Sequence, residues 1–165
     1  MATPKTSDTS TTEWLALDRQ LCFALYAASL AMTKTYKPLL EPLGLTYPQY
    51  LVMLVLWEGD GITVSQLGGR LSLDSGTLTP LLKRMAAQGL VQRQRDTADE
   101  RRVLLWLTDA GRSLQRQALA VPQAVACASA CDLAEIGPLV QRLNALRAQL
   151  NSADPAANVS PSRSA

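Results

Sequence analysis

Residues 62–107 read ITVSQLGGRLSLDSGTLTPLLKRMAAQGLVQRQRDTADERRVLLWL. Thr63 is a helix-capping residue type placed just ahead of Val64, Leu67 and Leu71, whose spacing predicts a short amphipathic helix. Asp74 can cap a second helix that buries Leu78, Leu81 or Leu82, and Met85, and Gly89 can take the left-handed conformation that ends it. Two short helices joined by a tight turn make a helix-turn-helix. Val91–Arg95 and Arg102–Leu107 then have strand character, with the polar DTADE connection between them. A hairpin directly after a helix-turn-helix predicts a wing, and the charge of its loop predicts that it projects.

The pattern extends outward on both sides. Tyr47-Pro48 opens a helix that runs to Trp57, before the Gly59-Asp60-Gly61 break. Further upstream, Leu17, Leu21, Leu25, Ala28 and Met32 recur at steps of three and four, which predicts one apolar stripe on a long first helix. That helix is expected to begin near Glu13 and to stop near Tyr36, because Pro38 disfavours helical geometry at Lys37. Downstream, Thr108 caps a fifth helix, and Asp132 with Glu135 gives a capping-box-like start to a sixth. Both chain ends are rich in Ala, Ser, Thr and Pro, a composition that predicts disorder. The expected organisation is a tail over 1–12, one domain over 13–151 and a tail over 152–165. Within the domain the winged helix covers about 47–107, flanked by helices over 13–36 and 108–151. The fold class is mainly α with a small β-wing.

Composition prunes the chemistry. Hydrophobic residues make up 47% of the chain and charged residues 18%, which suits a soluble domain with a real core. No apolar run approaches the roughly 18 residues of a membrane span. The opening MATPKTSDTSTTEW lacks the basic-then-apolar order of a signal peptide, so the cytoplasm is the expected address and no membrane is involved. The chain has no histidine, which removes Ser-His-Asp and Cys-His catalysis and every histidine-containing metal site. Nothing calls for a cofactor or a metal, and no enzyme activity is expected.

Charge is unevenly spread. The net charge is +2, yet residues 81–116 hold eight basic side chains against four acidic ones, or +4, which leaves −2 for the rest. A locally basic segment suits a nucleic-acid contact, and a solvated charged face is the plain alternative. On the second helix of the motif, Ser75, Thr77 and Thr79 are the polar positions left after core burial, with Lys83 and Arg84 one to two turns on. Such hydroxyls can meet base edges or phosphates, and Gly76 permits close approach. In the wing, Arg101 follows Asp99 by two residues, so the carboxylate can orient a guanidinium suited to a narrow minor groove.

The stretch from Leu71 to Arg112 resembles the winged helix of MarR-family transcription regulators, in its DERR turn and in the Leu-Thr-Asp-Ala-Gly that follows. Within that family, LDSGTLTPLLKR and the position of Cys22 resemble OhrR, the organic-hydroperoxide-sensing repressor. The likeness runs over about residues 14–150. It implies an intertwined homodimer whose terminal helices dimerise and whose two winged helices span a pseudo-palindromic, double-stranded operator.

Three cysteines are present: Cys22, Cys127 and Cys131. In RQLCFALY (19–26), Cys22 reads locally as a small core filler; Arg19 one turn earlier favours a thiolate and Asp18 opposes it. A helix starting near Glu13 would place Cys22 beyond the first turn. The OhrR resemblance implies instead a peroxide-reactive sulfur held by two tyrosines, Tyr36 and Tyr47. Fourteen residues of continuous helix separate Cys22 from Tyr36 by about 21 Å, so contact requires a chain reversal or the other subunit. Cys127 and Cys131 lie one turn apart in VACASAC. As packing residues, as ligands of a metal site short of partners, or as resolving thiols, they fit three readings. Resemblance to the two-cysteine kind of OhrR makes Cys127 the resolver and Cys131 its alternative.

The expected function is a repressor that senses organic hydroperoxide. Oxidation of Cys22 to sulfenic acid and an intersubunit disulfide with Cys127 would release DNA. Leu21, Phe23, Leu25 and Trp57 are candidate walls of the peroxide pocket. A MarR-type repressor released by a non-covalent aromatic effector is the alternative, and a thiol peroxidase or a DNA-bridging protein stands further off.

Overall fold

The structure is a computed structural model that describes residues 14–129 and 133–153. The 1–12 tail, nearly all of the 152–165 tail, Cys131 and Asp132 lie outside the described residues. Two compact units divide at Val125 and Ala126.

In the first unit a 3-10 turn at Leu17–Arg19 precedes α1 (Leu21–Leu40). The expected helix start at Glu13 lies outside the described residues, and the described residues before Leu21 do not belong to α1. Gln20 has extended backbone, and its side-chain amide turns back to the carbonyls of Trp14 and Ala16 instead of capping α1. The expected stop near Tyr36 is also corrected, since α1 passes through Pro38. Proline forfeits one helical bond there. The last turn still closes, with Glu41 N donating to Lys37 O and Leu45 N donating to Leu40 O at 3.2 Å. Leu40 is buried in the core and anchors that turn, and Gly44, at φ +64, reverses the chain.

Thr46 opens α2 (Tyr47–Glu58) with a capping box. The Gln49 side chain accepts from Thr46 N at 2.8 Å and donates to Gln88 at 2.8 Å, so this buried amide is satisfied at both ends. Next come β1 (Ile62–Thr63), α3 (Val64–Leu71) and α4 (Ser75–Ala87). Thr63 and Asp74 cap the two helices by accepting from Gln66 N at 3.1 Å and Thr77 N at 2.9 Å. α4 buries Leu78, both Leu81 and Leu82, and Met85, and the chain turns at Gly89, at φ +71.

β2 (Val91–Arg95) and β3 (Val103–Leu107) form the expected hairpin. Sequence reading missed β1, which is too short to show alternation. It pairs antiparallel with β3 through Ile62↔Leu105, giving a three-stranded sheet in the order β1-β3-β2. The core gathers Tyr50, Met53 and Leu56 of α2, Leu67 of α3, α4's inner face, Val91 and Leu105.

Thr108 caps α5 (Asp109–Ala118), and α6 (Ala120–Ala128) follows a break at Leu119. The single fifth helix is thus two. Pro122 cannot donate to the Ala118 carbonyl and crowds it, which ends α5 there. In the second unit, α7 (Leu133–Ser152) leaves Leu139, Val140, Leu143 and Leu150 exposed. Among the described residues no single helix is long and apolar enough to cross a membrane.

Candidate functional site

Two regions collect the residues singled out above. The first lies along α1 and the start of α2. Cys22 is the second residue of α1 and is exposed, so it lies inside the first helical turn and not beyond it. Backbone N–H groups of a first turn lack helical acceptors, and no side chain caps them here. The stripe Leu17, Leu21, Leu25, Ala28 and Met32 is exposed among the described residues; Leu17 and Leu21 are each 58% exposed. Trp14 and Leu15, both 80% exposed, extend this apolar face. An apolar surface of this length marks an interaction face rather than scattered surface residues.

Tyr36, near the other end of α1, meets Tyr47 at the start of α2 with ring centroids 4.7 Å apart, and Tyr50 at 5.7 Å. Burial raises the pKa of all three phenols above the ordinary value near 10. Each ring's neighbours add to this for Tyr36 and Tyr50, since a second phenolate nearby would repel the first. The cluster therefore keeps its hydroxyls protonated and able to donate. Tyr36 and Cys22 are brought no nearer by the fold, since one continuous helix carries both and spaces them by about 21 Å.

The four pocket candidates separate. Leu21, Phe23 and Leu25 line the first turns of α1, whereas Trp57 sits at the far end of α2. Its indole N–H donates to Gly111 O at 2.9 Å, and its ring meets Tyr50 edge-on at 6.2 Å. An open cavity of about 550 Å³ instead adjoins Tyr47, with Thr33, Lys34, Lys37, Leu45 and Pro48 in its walls. Cys127, in α6, is exposed. No group of three or more metal-ligating side chains occurs among the described residues.

The second region is the outer surface of α4 and the wing. Ser75 and Thr77 are exposed and Thr79 is half-buried. Thr77 donates its hydroxyl to Asp74 at 2.8 Å and Thr79 donates to Ser75 O at 2.7 Å. Their hydrogens are thus committed within the start of α4 and leave the oxygens as acceptors. Thr77's backbone N–H, and then its hydroxyl, hold the Asp74 carboxyl below its ordinary value. Lys83 and Arg84 are exposed farther along α4.

In the wing, Asp99 Oδ1 accepts from Arg101 N at 3.1 Å and from Arg101 Nε at 3.2 Å. The Arg101 side chain is 92% exposed. Arg102 N donates to Asp99 O and Asp96 N to Arg102 O, which braces the loop from within. Arg93 and Arg102 join Arg101 around an open groove with Ser65 and Gln66 of α3. The sequence reading counted Arg93 and Arg102 in the basic segment without giving either a site role, and it did not single out Ser65 or Gln66. Alternation along VQRQR sets Arg93 on one face of the strand, but only the three-stranded sheet turns that face toward α3.

The family model described as "Transcriptional regulator SarA/Rot" matches residues 34–117, more than half of the chain. The organic hydroperoxide resistance transcriptional regulator of Bacillus subtilis is 56% identical over 108 residues, covering 66% of this chain and 74% of that protein. The chain belongs to the MarR family of transcriptional regulators, in its OhrR-type branch. The regulator TtmR of Methylorubrum extorquens is 49% identical over 150 residues, 88% of this chain and 77% of that one. AbfR of Staphylococcus epidermidis has been solved in its reduced form on DNA and in a disulfide-formed state. The first matches with TM-score 0.70 at 36% identity, covering 86% of this chain and 99% of that chain. The second matches with TM-score 0.57 at 38% identity, covering 85% and 98%. The expected family and the winged-helix fold are both borne out. The MarR-family fold thus carries two separate assets here, a basic wing and a tyrosine cluster on α1 and α2.

Proposed function

We propose that this OhrR-type chain is a homodimeric, operator-binding repressor that organic hydroperoxide releases from DNA. The carrying observation is the Tyr36–Tyr47 pair, 4.7 Å between rings, at one end of a helix whose other end exposes Cys22 beside an apolar stripe. A helix cannot fold back on itself, so Cys22 can meet such donors only from another copy. A second chain laid along the apolar face of α1 supplies that arrangement in both directions, as two-fold symmetry requires.

In the reduced dimer, Tyr36 and Tyr47 of one subunit donate to the Cys22 thiolate of the other. The thiolate attacks the terminal oxygen of ROOH; the O–O bond breaks, the alkoxide takes a proton and leaves as alcohol, and Cys22 becomes sulfenic acid. The Cys127 thiolate of the partner subunit then attacks the Cys22 sulfur. The S–S bond forms and hydroxide leaves, taking up a proton as water. Cellular thiols reverse the disulfide. The apolar setting of Leu21, Phe23 and Leu25 favours an organic peroxide over hydrogen peroxide.

On DNA, Ser75, Thr77 and Thr79 enter the major groove, Lys83 and Arg84 meet phosphate, and Arg101, oriented by Asp99, enters the minor groove. A switch from 1:99 to 99:1 requires oxidation to disfavour the DNA-bound arrangement by about 5.5 kcal/mol. AbfR, known both reduced on DNA and disulfide-formed, supports a redox switch on this fold.

The test uses an operator selected from a random duplex pool. Reduced protein is treated with stoichiometric cumene hydroperoxide, then followed by gel shift and non-reducing electrophoresis. Wild type is expected to lose DNA and to form a covalent dimer, Cys22→Ser to do neither, and Cys127→Ser to form no covalent dimer. A Cys22→Ser protein that still loses DNA overturns the mechanism. A covalent dimer of Cys127→Ser transfers the resolving role to Cys131.

A further inference from the structure

We propose that Trp57 and Asp60 are positioning residues that pass the state of the tyrosine cluster to the wing. The inference rests on the function proposed above and concerns residues of the first unit alone.

Tyr47, Tyr36, Tyr50 and Trp57 form an unbroken chain of ring contacts, at 4.7, 5.7 and 6.2 Å between centroids. α1 contributes Tyr36, and α2 contributes the others at spacings of three and seven residues, which keeps them on one helix face. The chain ends in a directional contact, since the Trp57 indole donates to Gly111 O in the first turn of α5. The next residue, Arg112, pairs with Asp60 Oδ2 at 2.6 Å. That same oxygen accepts from Leu107 N at 2.9 Å, at the end of β3. β3 is the central strand of the sheet, so Asp60 ties the wing to the helix that Trp57 holds.

Each link is of a kind that passes on displacement. Close-packed rings cannot shift independently. The indole has one donor and no acceptor, so tilting it weakens the Gly111 bond with nothing to replace it. An open cleft of about 250 Å³ beside Tyr50, Leu54, Trp57 and Ala118 gives the ring room to tilt. Asp60 is 14% exposed in its side chain and engages both partners through one oxygen, so movement of α5 pulls directly on the β3 amide.

Trp57→Phe keeps an aromatic ring, though a smaller one, and deletes the N–H. Asp60→Asn keeps an acceptor for Leu107 N and removes the charge from Arg112. Both are compared with wild type as full-length dimers, reduced and after stoichiometric cumene hydroperoxide. Two readouts are taken: the rate of Cys22 thiol loss, and the operator Kd in each state. In each variant thiol loss is expected to stay within about 2-fold of wild type. The ratio of oxidised to reduced Kd should fall about 3- to 10-fold, the worth of one partly buried hydrogen bond. The double variant should add little to either, because both cut one path. A structural role alone would weaken DNA binding equally in both states; an unchanged ratio in both variants, with wild type switching, overturns the relay. A wild type that keeps its DNA when oxidised overturns the proposed function, and the relay with it.

Discussion

Gly111→Ala tests whether the join between wing and α5 is as tight as the geometry requires. A Cβ at residue 111 would stand 2.2 Å from Leu90 O and 3.2 Å from Leu107 Cδ2. Relief requires the Leu90 carbonyl to retreat by roughly 1 Å or more, since carbon contacts settle near 3.5 Å. That carbonyl accepts from Thr108 N at 3.1 Å and from Thr108 Oγ1 at 3.2 Å, so retreat also weakens the bonds that hold the residue capping α5. Overpacking costs about 1–3 kcal/mol and a weakened hydrogen bond about 1 kcal/mol. Alanine returns at most about 1 kcal/mol through helix propensity. The net loss is about 2 kcal/mol, a drop in Tm of about 4–8 °C for a chain of this size. Gly69→Ala is the control, because a Cβ there has nothing within 4 Å and the site is inside α3; it should gain up to about 1 kcal/mol. Both are measured by urea denaturation and thermal melts at one protein concentration. A Gly111→Ala protein as stable as its parent would refute the reasoning.

The three packed phenols, Tyr50 buried and Tyr36 and Tyr47 half-buried, predict an alkaline limb. Their folded pKa values lie above the ordinary tyrosine value, so the stability they contribute is whole below about pH 10 and is lost as pH rises through the raised values. Replacing Tyr36, Tyr47 and Tyr50 with Phe should flatten that limb in a pH series of urea midpoints. Asp74 works in the opposite direction. Its depressed value means a contribution present above the ordinary carboxylate range and lost as pH falls through the folded pKa, so Asp74→Asn should make the acid limb shallower. In operator titrations, Arg101→Ala should weaken binding by about 1–3 kcal/mol, and Asp99→Ala by less, because the arginine survives but loses its orientation. Equal operator affinity for Arg101→Ala and wild type would exclude an Arg101 contact with DNA.

Much of the fold was legible because its signals are local. Thr63, Asp74 and Thr108 sit where helices begin, Gly89 where a chain turns, and VQRQR and RVLLWL flank a polar loop. These are single-residue and short-period effects that act before any tertiary contact. The misses share a different cause. Pro38 fails to end α1 because Leu40 is buried in the core, and Gln20 interrupts the expected first helix by folding back onto Trp14 and Ala16. Two residues of β1 carry no pattern and exist only by pairing with β3.

The candidate site divides the same way. Residue identities and spacings singled out the wing arginine, the family resemblance singled out Cys22, Tyr36 and Tyr47, and the one-helix separation of Cys22 from Tyr36 followed from helical rise. The sequence by itself determined a winged helix, a basic face and a sulfur whose partners lie elsewhere. Only the tertiary structure placed Cys22 in the first turn of α1, packed Tyr36 against Tyr47 and Tyr50, and committed Trp57 to Gly111. These depend on where separate helices cross, and crossing is set by the packing of whole faces, which no local spacing encodes.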